Sequence, residues 1–398
     1  MRTFYITSAR CVPRKANCQK IYSYLVINGF CFTNNFSKAD LIVIATCAVV
    51  KSKEDESIRV IKYFLKHKSN SSKLIITGCL SKINPSLLRR IGNFNTVSPT
   101  ELDKLDELIN AKIKFKSVSQ QHKINIPSFP FDYVVEFREF KELVSNFFKS
   151  FEWKKVYFKR VIKRIFAEKS RLLHKEDKKF YLIIQNGCLG NCAYCAIKYS
   201  IGKSISKHTK NIIQEFRKAL EDGYKTICLA GEDVGAYGID INTNIVELLE
   251  ELFKIKGNYK IKILDFNANW LIKCFSDLIT IFVKNYDKID SITFSIQSGS
   301  NTILKLMNRN YDINDVKKCL TILNKELPNL TMNIGVLVGF PGETEEDFEK
   351  TKNFIKKFKF KHLNITGYSD RPNTTAYKMN GKINDKVIKE RICELIKI

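Results

Sequence analysis

Hydrophobic positions in the first part of the chain form short continuous runs, and amphipathic stretches separate them. The β-prone apolar runs predict strands at residues 4–7, 41–45 and 73–77, and the helical patterns lie at residues 19–28 and 58–66. Continuous apolar runs of this length are typical of strands that are buried on both faces of a parallel sheet. Strand and helix alternate, so the pattern predicts a small parallel α/β domain within residues 1–115.

The same alternation returns in the second half of the chain and continues to its end. Strands are predicted at residues 180–184, 225–230, 261–266, 291–296, 332–338 and 362–366. Helical runs lie between them, for example at residues 211–220 and 245–253. Right-handed βα units in series predict a full or partial barrel, with its functional site at the carboxyl ends of the strands.

Three cysteines follow the first strand of this second half, in the stretch QNGCLGNCAYC. Cys188, Cys192 and Cys195 have the spacing C-x3-C-x2-C and lie in a predicted loop. Thiolates at one point select iron–sulfur clusters or zinc, and three ligands leave one coordination position open, as catalytic sites require. Half of a zinc ribbon, or cysteines without a shared ligand, is the alternative interpretation.

Each predicted strand of the first domain is also followed by a cysteine. These residues are Cys11, Cys47 and Cys79. Because ligands of open α/β sheets gather at the carboxyl ends of the strands, the three thiols could converge on one metal site. A buried cysteine is more often a packing residue, and that alternative stays open at this point.

The cysteine spacing, with Tyr194 before the last cysteine, resembles the signature of radical S-adenosylmethionine (radical SAM) enzymes. The resemblance implies a [4Fe–4S] cluster whose open iron holds S-adenosylmethionine and whose electron cleaves it to a 5′-deoxyadenosyl radical. The phrases ATCAV at 45–49 and TGCL at 77–80 are similar to those of the methylthiotransferase branch. That branch implies a second [4Fe–4S] cluster on Cys11, Cys47 and Cys79. Its usual phrase Gly-Cys-x-x-Asn is replaced here by RCVPR at 10–14.

Further phrases match the family at the predicted strand ends and imply contacts with the cofactor. The residues expected to bind S-adenosylmethionine are Tyr194, Gly231, Glu232, Ser298, Arg309 and Gly339. Gly339 lies in the phrase IGVLVGFPGET at 334–344, which resembles the family's fifth-strand phrase. Thr344 at its end has a simpler explanation, because with Asp347 it forms a helix capping box. The family fold is an N-terminal Rossmann-like α/β domain followed by a partial (βα)6 barrel, which places the domains at residues 1–115 and 180–398.

Residues 116–179 connect the two predicted domains as a linker and a basic insertion. Within it, residues 152–179 hold 11 Lys or Arg and four acidic residues. Apolar residues lie among them at roughly helical spacing, namely Val156, Phe158, Val161, Ile162, Ile165 and Phe166. The whole chain has 398 residues and a formal charge of +26, which favours a polyanionic partner, although an AT-biased genome also produces such a composition. The insertion could bind a nucleic-acid backbone or an acidic peptide, or it could be a solvated helix packed on one domain.

The expected activity is methylthiolation of a C–H bond, with tRNA carrying a modified adenosine as the first candidate substrate. A peptide or protein side chain is the alternative, and a non-enzymatic two-cluster electron carrier is a remote one. The family's C-terminal β-barrel, the TRAM domain, is expected to be absent after residues 383–398. We expect the chain to be cytoplasmic and to lack membrane spans. We expect its twelve cysteines to serve metal binding or redox chemistry more than disulfides. The expected electron donor is flavodoxin or ferredoxin.

Overall fold

Two parallel β-sheets organise the protein. The structure is a computed structural model that describes residues 2–8, 12–118 and 179–398. Cys11 and the basic segment before residue 179 lie outside the described residues. The roles predicted for Cys11 and for the basic segment therefore stay predictions.

The first sheet has five strands in the order β2-β1-β3-β4-β5. Its strands are β1 Thr3–Ser8, β2 Cys31–Phe32, β3 Leu41–Thr46, β4 Lys73–Gly78 and β5 Asn95–Val97. All of its pairings are parallel, and Ala45 of β3 lies opposite both Ser8 of β1 and Thr77 of β4. The carboxyl ends of the three central strands are therefore level, which brings the segments after them together.

Helices cover both faces of this sheet. They are α1 Val12–Ile27, α2 Lys51–His67, α3 Leu80–Ile83, α4 Pro85–Ile91 and α5 Leu105–Leu108. Because side chains alternate along a strand, Ile42 and Ile44 pack into one apolar core and Leu41 and Val43 into another. The chain thus forms the Rossmann-like α/β layer that the apolar runs predict.

The second sheet has six parallel strands in the order β13-β12-β11-β10-β9-β6. The strands are β6 Lys179–Ile183, β9 Thr226–Ala230, β10 Lys260–Asn267, β11 Ile289–Gln297, β12 Thr331–Val338 and β13 His362–Gly367. Apart from β7 and β8, which lie between β6 and β9 in the chain, strand neighbours in the sheet are also neighbours in sequence. The edge strands β6 and β13 do not pair with each other among the described residues. This is an open, partial (βα)6 barrel, so the predicted fold class is confirmed.

Helices connect these strands. They are α6 Ile197–Ile201, α7 Thr209–Glu221, α8 Ile245–Phe253, α9 Ala268–Lys273, α10 Phe275–Lys284, α11 Asn301–Leu306, α12 Ile313–Glu326, α13 Glu345–Lys357 and α14 Asp385–Ile396. Two short strands, β7 Gln185–Asn186 and β8 Ile205–Ser206, pair antiparallel beside the barrel. The predicted capping box is present, with Thr344 and Asp347 each bonded to the backbone of the other.

The two sheets are packed together through the segment that carries the C-x3-C-x2-C motif. Ala196 and Ile201, which follow the motif, belong to an apolar core of the first sheet, and Ala16 of α1 contacts Ile183 and Ala230 of the barrel. The exact boundaries at residues 115 and 179 stay predictions. Of the helices in the described ranges, none combines the length and the apolar character of a transmembrane span.

Candidate active site

The C-x3-C-x2-C loop begins at Cys188, just after β7, and is held by the barrel on both sides. Ala193 N–H donates to the carbonyl of Met307 at 2.9 Å, and Ala376 N–H donates to the carbonyl of Ala193 at 2.8 Å. Asn308 Nδ2 donates to the carbonyl of Asn191 at 2.8 Å. These three hydrogen bonds hold the loop backbone through contacts within the protein, as a preorganised metal site requires.

Hydrogen-bond donors already approach two of the three sulfurs in this loop. Gly190 N–H donates to Cys188 Sγ at 3.2 Å, and Arg309 Nη1 donates to Cys192 Sγ at 3.6 Å. Burial raises the pKa of Cys188 to about 12 and that of Cys195 to about 11. Such thiols stay protonated at neutral pH unless a metal takes the place of the proton. The donor set therefore fits a thiolate-bound cluster, whose potential depends on hydrogen bonds to sulfur.

In the first sheet, Cys47 and Cys79 follow β3 and β4 directly. Ser57 on α2 holds the Cys47 backbone, because its hydroxyl accepts from Cys47 N–H at 3.0 Å and donates to the Cys47 carbonyl at 2.8 Å. Cys79 N–H donates to the carbonyl of Thr46 at 3.0 Å, which ties the two loops together. Both thiols are buried, and burial raises the pKa of Cys79.

One cavity of about 390 Å³ joins the two groups of cysteines. Its lining includes Cys47, Cys79, Cys188, Cys192 and Cys195. Cys47 and Cys79, at the ends of two neighbouring strands, thus face the same cavity as the C-x3-C-x2-C cysteines. Their role as metal ligands stays a prediction. Across the described ranges, no three Cys, His, Asp or Glu side chains are grouped as they are around a single metal ion. The fit to iron–sulfur clusters rests on the shared cavity and on the donors to sulfur.

Four of the predicted cofactor-binding residues line this cavity: Tyr194, Gly231, Glu232 and Arg309. Glu232 accepts from Gly187 N–H at 2.9 Å, immediately before the cysteine loop. Arg309 is buried and donates to the carbonyl of Ser295 at 2.6 Å, while its Nε has no partner among the described residues. A guanidinium with a free donor at a cavity wall can bind an anionic group of a ligand.

The other two predicted cofactor-binding residues, Ser298 and Gly339, lie outside the cavity lining, and their contacts with S-adenosylmethionine stay predictions. The hydroxyl of Ser298 accepts from Ser300 N–H at 3.1 Å and bonds the Thr351 hydroxyl at 3.2 Å, so it serves the start of α11. Gly339 has φ +77°, and a Cβ there would lie 2.3 Å from Ile388 Cγ1. Close packing against α14 explains this glycine without a ligand.

Three acidic or amide side chains that line the cavity are not among the site residues predicted from the sequence. Asp265 and Gln297 line it and have left-handed backbones, with φ of +50° and +78°. Register irregularities in the β10–β11 and β11–β12 pairings accompany them, and such bulges turn side chains toward functional sites. Asp233 accepts from Trp270 Nε1 at 3.0 Å, and burial raises its pKa to about 6.

Two family profiles match separate parts of the chain, and whole-length relatives match nearly all of it. The radical SAM superfamily profile matches residues 182–355, and the profile of uncharacterized protein family UPF0004 matches residues 3–97. A probable threonylcarbamoyladenosine tRNA methylthiotransferase of Pyrococcus horikoshii is 29% identical over 387 residues, which cover 97% of this chain and 81% of the relative. A ribosomal protein uS12 methylthiotransferase of Clostridioides difficile is 29% identical, with coverages of 96% and 78%.

The chain belongs to the radical SAM methylthiotransferase family. The predicted enzyme class is confirmed, and the zinc-ribbon and electron-carrier alternatives are not supported. Membership implies a [4Fe–4S] cluster and S-adenosylmethionine, which the loop of Cys188 fits. Solved structures agree at the level of the fold. The radical S-adenosylmethionine methyltransferase TsrM of Kitasatospora setae has a TM-score of 0.60 at 12% identity, covering 94% of this chain and 77% of its own.

Proposed function

We propose that this methylthiotransferase inserts a methylthio group at a C–H bond of a modified adenosine in tRNA. The observation that carries the proposal is the single cavity that both cysteine groups line. A substrate carbon has to be reached first by a radical and then by a sulfur donor. Two reactive centres on one cavity allow both encounters without release of the substrate, and such proximity is a large part of catalysis.

In this proposal, Cys188, Cys192 and Cys195 hold the radical cluster and Tyr194, Gly231, Glu232 and Arg309 contact S-adenosylmethionine. Together these bound groups supply the one-electron cleavage that yields a carbon-centred radical. The protein keeps the loop rigid through Met307 and Ala376 and donates to sulfur from Gly190 and Arg309. Donors placed in advance stabilise negative charge on sulfur without a reorganisation cost.

Cys47 and Cys79, together with Cys11, are proposed to hold the second [4Fe–4S] cluster and the sulfur to be transferred. One molecule of S-adenosylmethionine would methylate that sulfur, and a second would serve the radical loop. The support is the position of Cys47 and Cys79 on the same cavity and their fixed backbones. The apolar side chains of Val49, Ile197 and Ile201 form part of the wall there and would exclude water from reactive sulfur.

The choice of substrate rests on the chemistry of the relatives. Besides the Pyrococcus protein, a tRNA-2-methylthio-N(6)-dimethylallyladenosine synthase of Thermodesulfovibrio yellowstonii is 28% identical and matches 100% of this chain and 83% of its own length. The net charge of +26 suits tRNA. The second candidate is a protein side chain, favoured by the uS12 methylthiotransferase at 29% identity. The cytoplasmic location and the flavodoxin or ferredoxin donor stay predictions.

Mass spectrometry of tRNA nucleosides from cells with and without the gene tests this proposal. We expect one methylthiolated adenosine derivative to disappear with the gene and to return with the wild-type chain. The C79A variant should not restore it. If all tRNA nucleosides are unchanged and a small protein loses a methylthio group instead, the tRNA proposal is wrong and the protein candidate replaces it.

A further inference from the structure

Arg14 places a positive charge on the sulfur side of the cavity. It lies in the first turn of α1, and only 2% of its surface is exposed. It lines the cavity with Cys47 and Cys79. A charge buried this deeply is costly unless it is paired, so its partners indicate what the position is for.

The pairing of Arg14 within the protein is incomplete. Its Nη2 forms an ion pair with Glu232 Oε1 at 3.1 Å, and Glu232 is itself shared with the N–H of Gly187. The Nε of Arg14 is buried and has no hydrogen-bond partner in the described part of the chain. A guanidinium carries five N–H donors, so the pair with Glu232 leaves donor capacity at the cavity wall.

The cavity wall around Arg14 holds two thiols and one carboxylate. Cys47, Cys79 and Glu232 line the same cavity as Arg14. With one of its N–H groups unpaired, the guanidinium can bind an anion that enters the cavity on the side of the two thiols.

We propose that Arg14 binds the anionic sulfur that is to be transferred, as hydrosulfide or methanethiolate, beside Cys47 and Cys79. The inference rests on the proposed function, because it presumes that sulfur is held on that side of the cavity. Arg14 acts as a specificity residue for the sulfur donor, and its pair with Glu232 ties the sulfur side to the loop that begins at Cys188. A charge-assisted hydrogen bond is the expected contact.

The test is titration of the reconstituted full-length enzyme with sodium methanethiolate, followed by the paramagnetic resonance of the reduced clusters. Iron content is measured in every sample, and C79A identifies which spectral change belongs to the sulfur side. Arg14→Gln should weaken methanethiolate binding by about tenfold or more, the effect of losing one charge-assisted bond. Arg14→Lys keeps the charge and should stay within about threefold, since it loses only the forked geometry.

A double variant separates the cation from its partner. Arg14→Gln leaves Glu232 buried and unpaired, whereas R14Q/E232Q removes both charges. The proposal expects the double variant to bind methanethiolate as weakly as the single one. If the double variant regains wild-type affinity, the loss came from the unpaired Glu232, and the assignment to Arg14 is overturned.

The remaining outcomes are also distinct. Wild-type affinity in R14Q with full iron content overturns the inference and leaves the proposed function intact. No methanethiolate effect in the wild-type enzyme contradicts the proposed sulfur role of Cys47 and Cys79, and the inference is overturned with it. A third outcome is that acetate displaces methanethiolate from the wild-type enzyme but does not bind to R14Q. Arg14 would then bind a substrate carboxylate, which overturns the assignment to sulfur.

Discussion

Gly78 sets the distance between the two cysteine loops of the first sheet. Its φ is +94°, and a Cβ at this position would lie 2.2 Å from the carbonyl oxygen of Thr46. That carbonyl accepts the N–H of Cys79, so the close approach of backbones is what aligns Cys47 and Cys79. No residue other than glycine fits there without moving the loop.

Gly78→Ala is therefore expected to destabilise the protein strongly, by about 3 kcal/mol or more, because left-handed backbone strain is added to a backbone clash. Urea unfolding measures the free energy. Gly29→Ala is the matched control, since Gly29 has a similar φ of +86° but nothing within 4 Å of its Cβ position. Gly29→Ala should cost about 1 kcal/mol, because it adds left-handed backbone strain without a clash. Equal losses in the two variants would show that the contact with Thr46 does not matter.

At the scale of residues, the reactive cysteines could be predicted from the sequence, but most of the residues around them could not. The spacing of Cys188, Cys192 and Cys195 and the strand ends before Cys47 and Cys79 are visible in one dimension. Asp265 and Gln297 are not, because a bulge in a strand leaves the apolar pattern almost unchanged. Arg14 was visible only as a departure from a phrase, and its burial depends on the fold.

At the scale of elements, the side chains of Asn301 and Asp312 join the first turns of helices α11 and α12. Asn301 Oδ1 accepts from Ile313 N–H at 2.8 Å, and Asp312 accepts from Asn301 Nδ2 at 2.9 Å. Asp312 also caps its own helix by accepting from Asn314 N–H at 2.6 Å. The bond from the Asn314 backbone, with that from Asn301, lowers the pKa of Asp312 below its ordinary value of 3.8.

Asp312→Ala should cost about 1 kcal/mol of stability at neutral pH through loss of the cap. A carboxyl whose pKa is lowered by folding stabilises the native state above its unfolded pKa and loses this contribution as the pH falls through the folded pKa. The difference between wild type and variant should therefore shrink at acidic pH below about 4. Urea unfolding at a series of pH values measures it, and a difference that is constant down to acid pH would contradict the electrostatic part of the cap.

The strands and helices themselves were largely predictable, because buried parallel strands are continuous apolar runs. Two features differ for physical reasons. Helix α1 begins at Val12 and not near residue 19, since Pro13 stands in the first turn, where its missing N–H is not needed. The edge strands β2 and β5 are only two and three residues long and carry too little pattern to be recognised.

At the scale of the whole molecule, a buried ion pair joins the two sheets beside the cavity. Arg371, in the segment after β13, pairs with Glu54 of α2 at 3.1 Å, and their side chains are 4% and 2% exposed. Arg371 also donates to the carbonyl of Ala48, next to Cys47, at 3.3 Å. The barrel thereby supports the loop of the first sheet that carries this cysteine.

Arg371→Met should destabilise the protein by about 3 kcal/mol, because it removes the only buried cation of the two that pair with Glu54 in the described residues and leaves the half-exposed Lys51. The comparison variant is Lys254→Met, which removes an exposed pair with Glu251 of 2.6 Å. Its effect on the free energy of unfolding should be much smaller, because exposed ion pairs are solvated and contribute little to stability. Unfolding in urea compares the two. Equal small effects would mean that the two sheets are held together by apolar contacts alone.

The central claim is that two groups of cysteines on one cavity hold two separate clusters, and iron content per chain tests it most directly. Anaerobically reconstituted wild-type protein should bind about eight irons, and both C188A/C192A/C195A and C47A/C79A should bind about four. Cys228→Ala is the control, since that buried cysteine lies outside the cavity lining and should leave about eight. Full iron content in either cysteine-group variant, or about four irons in the wild-type protein, would contradict the account.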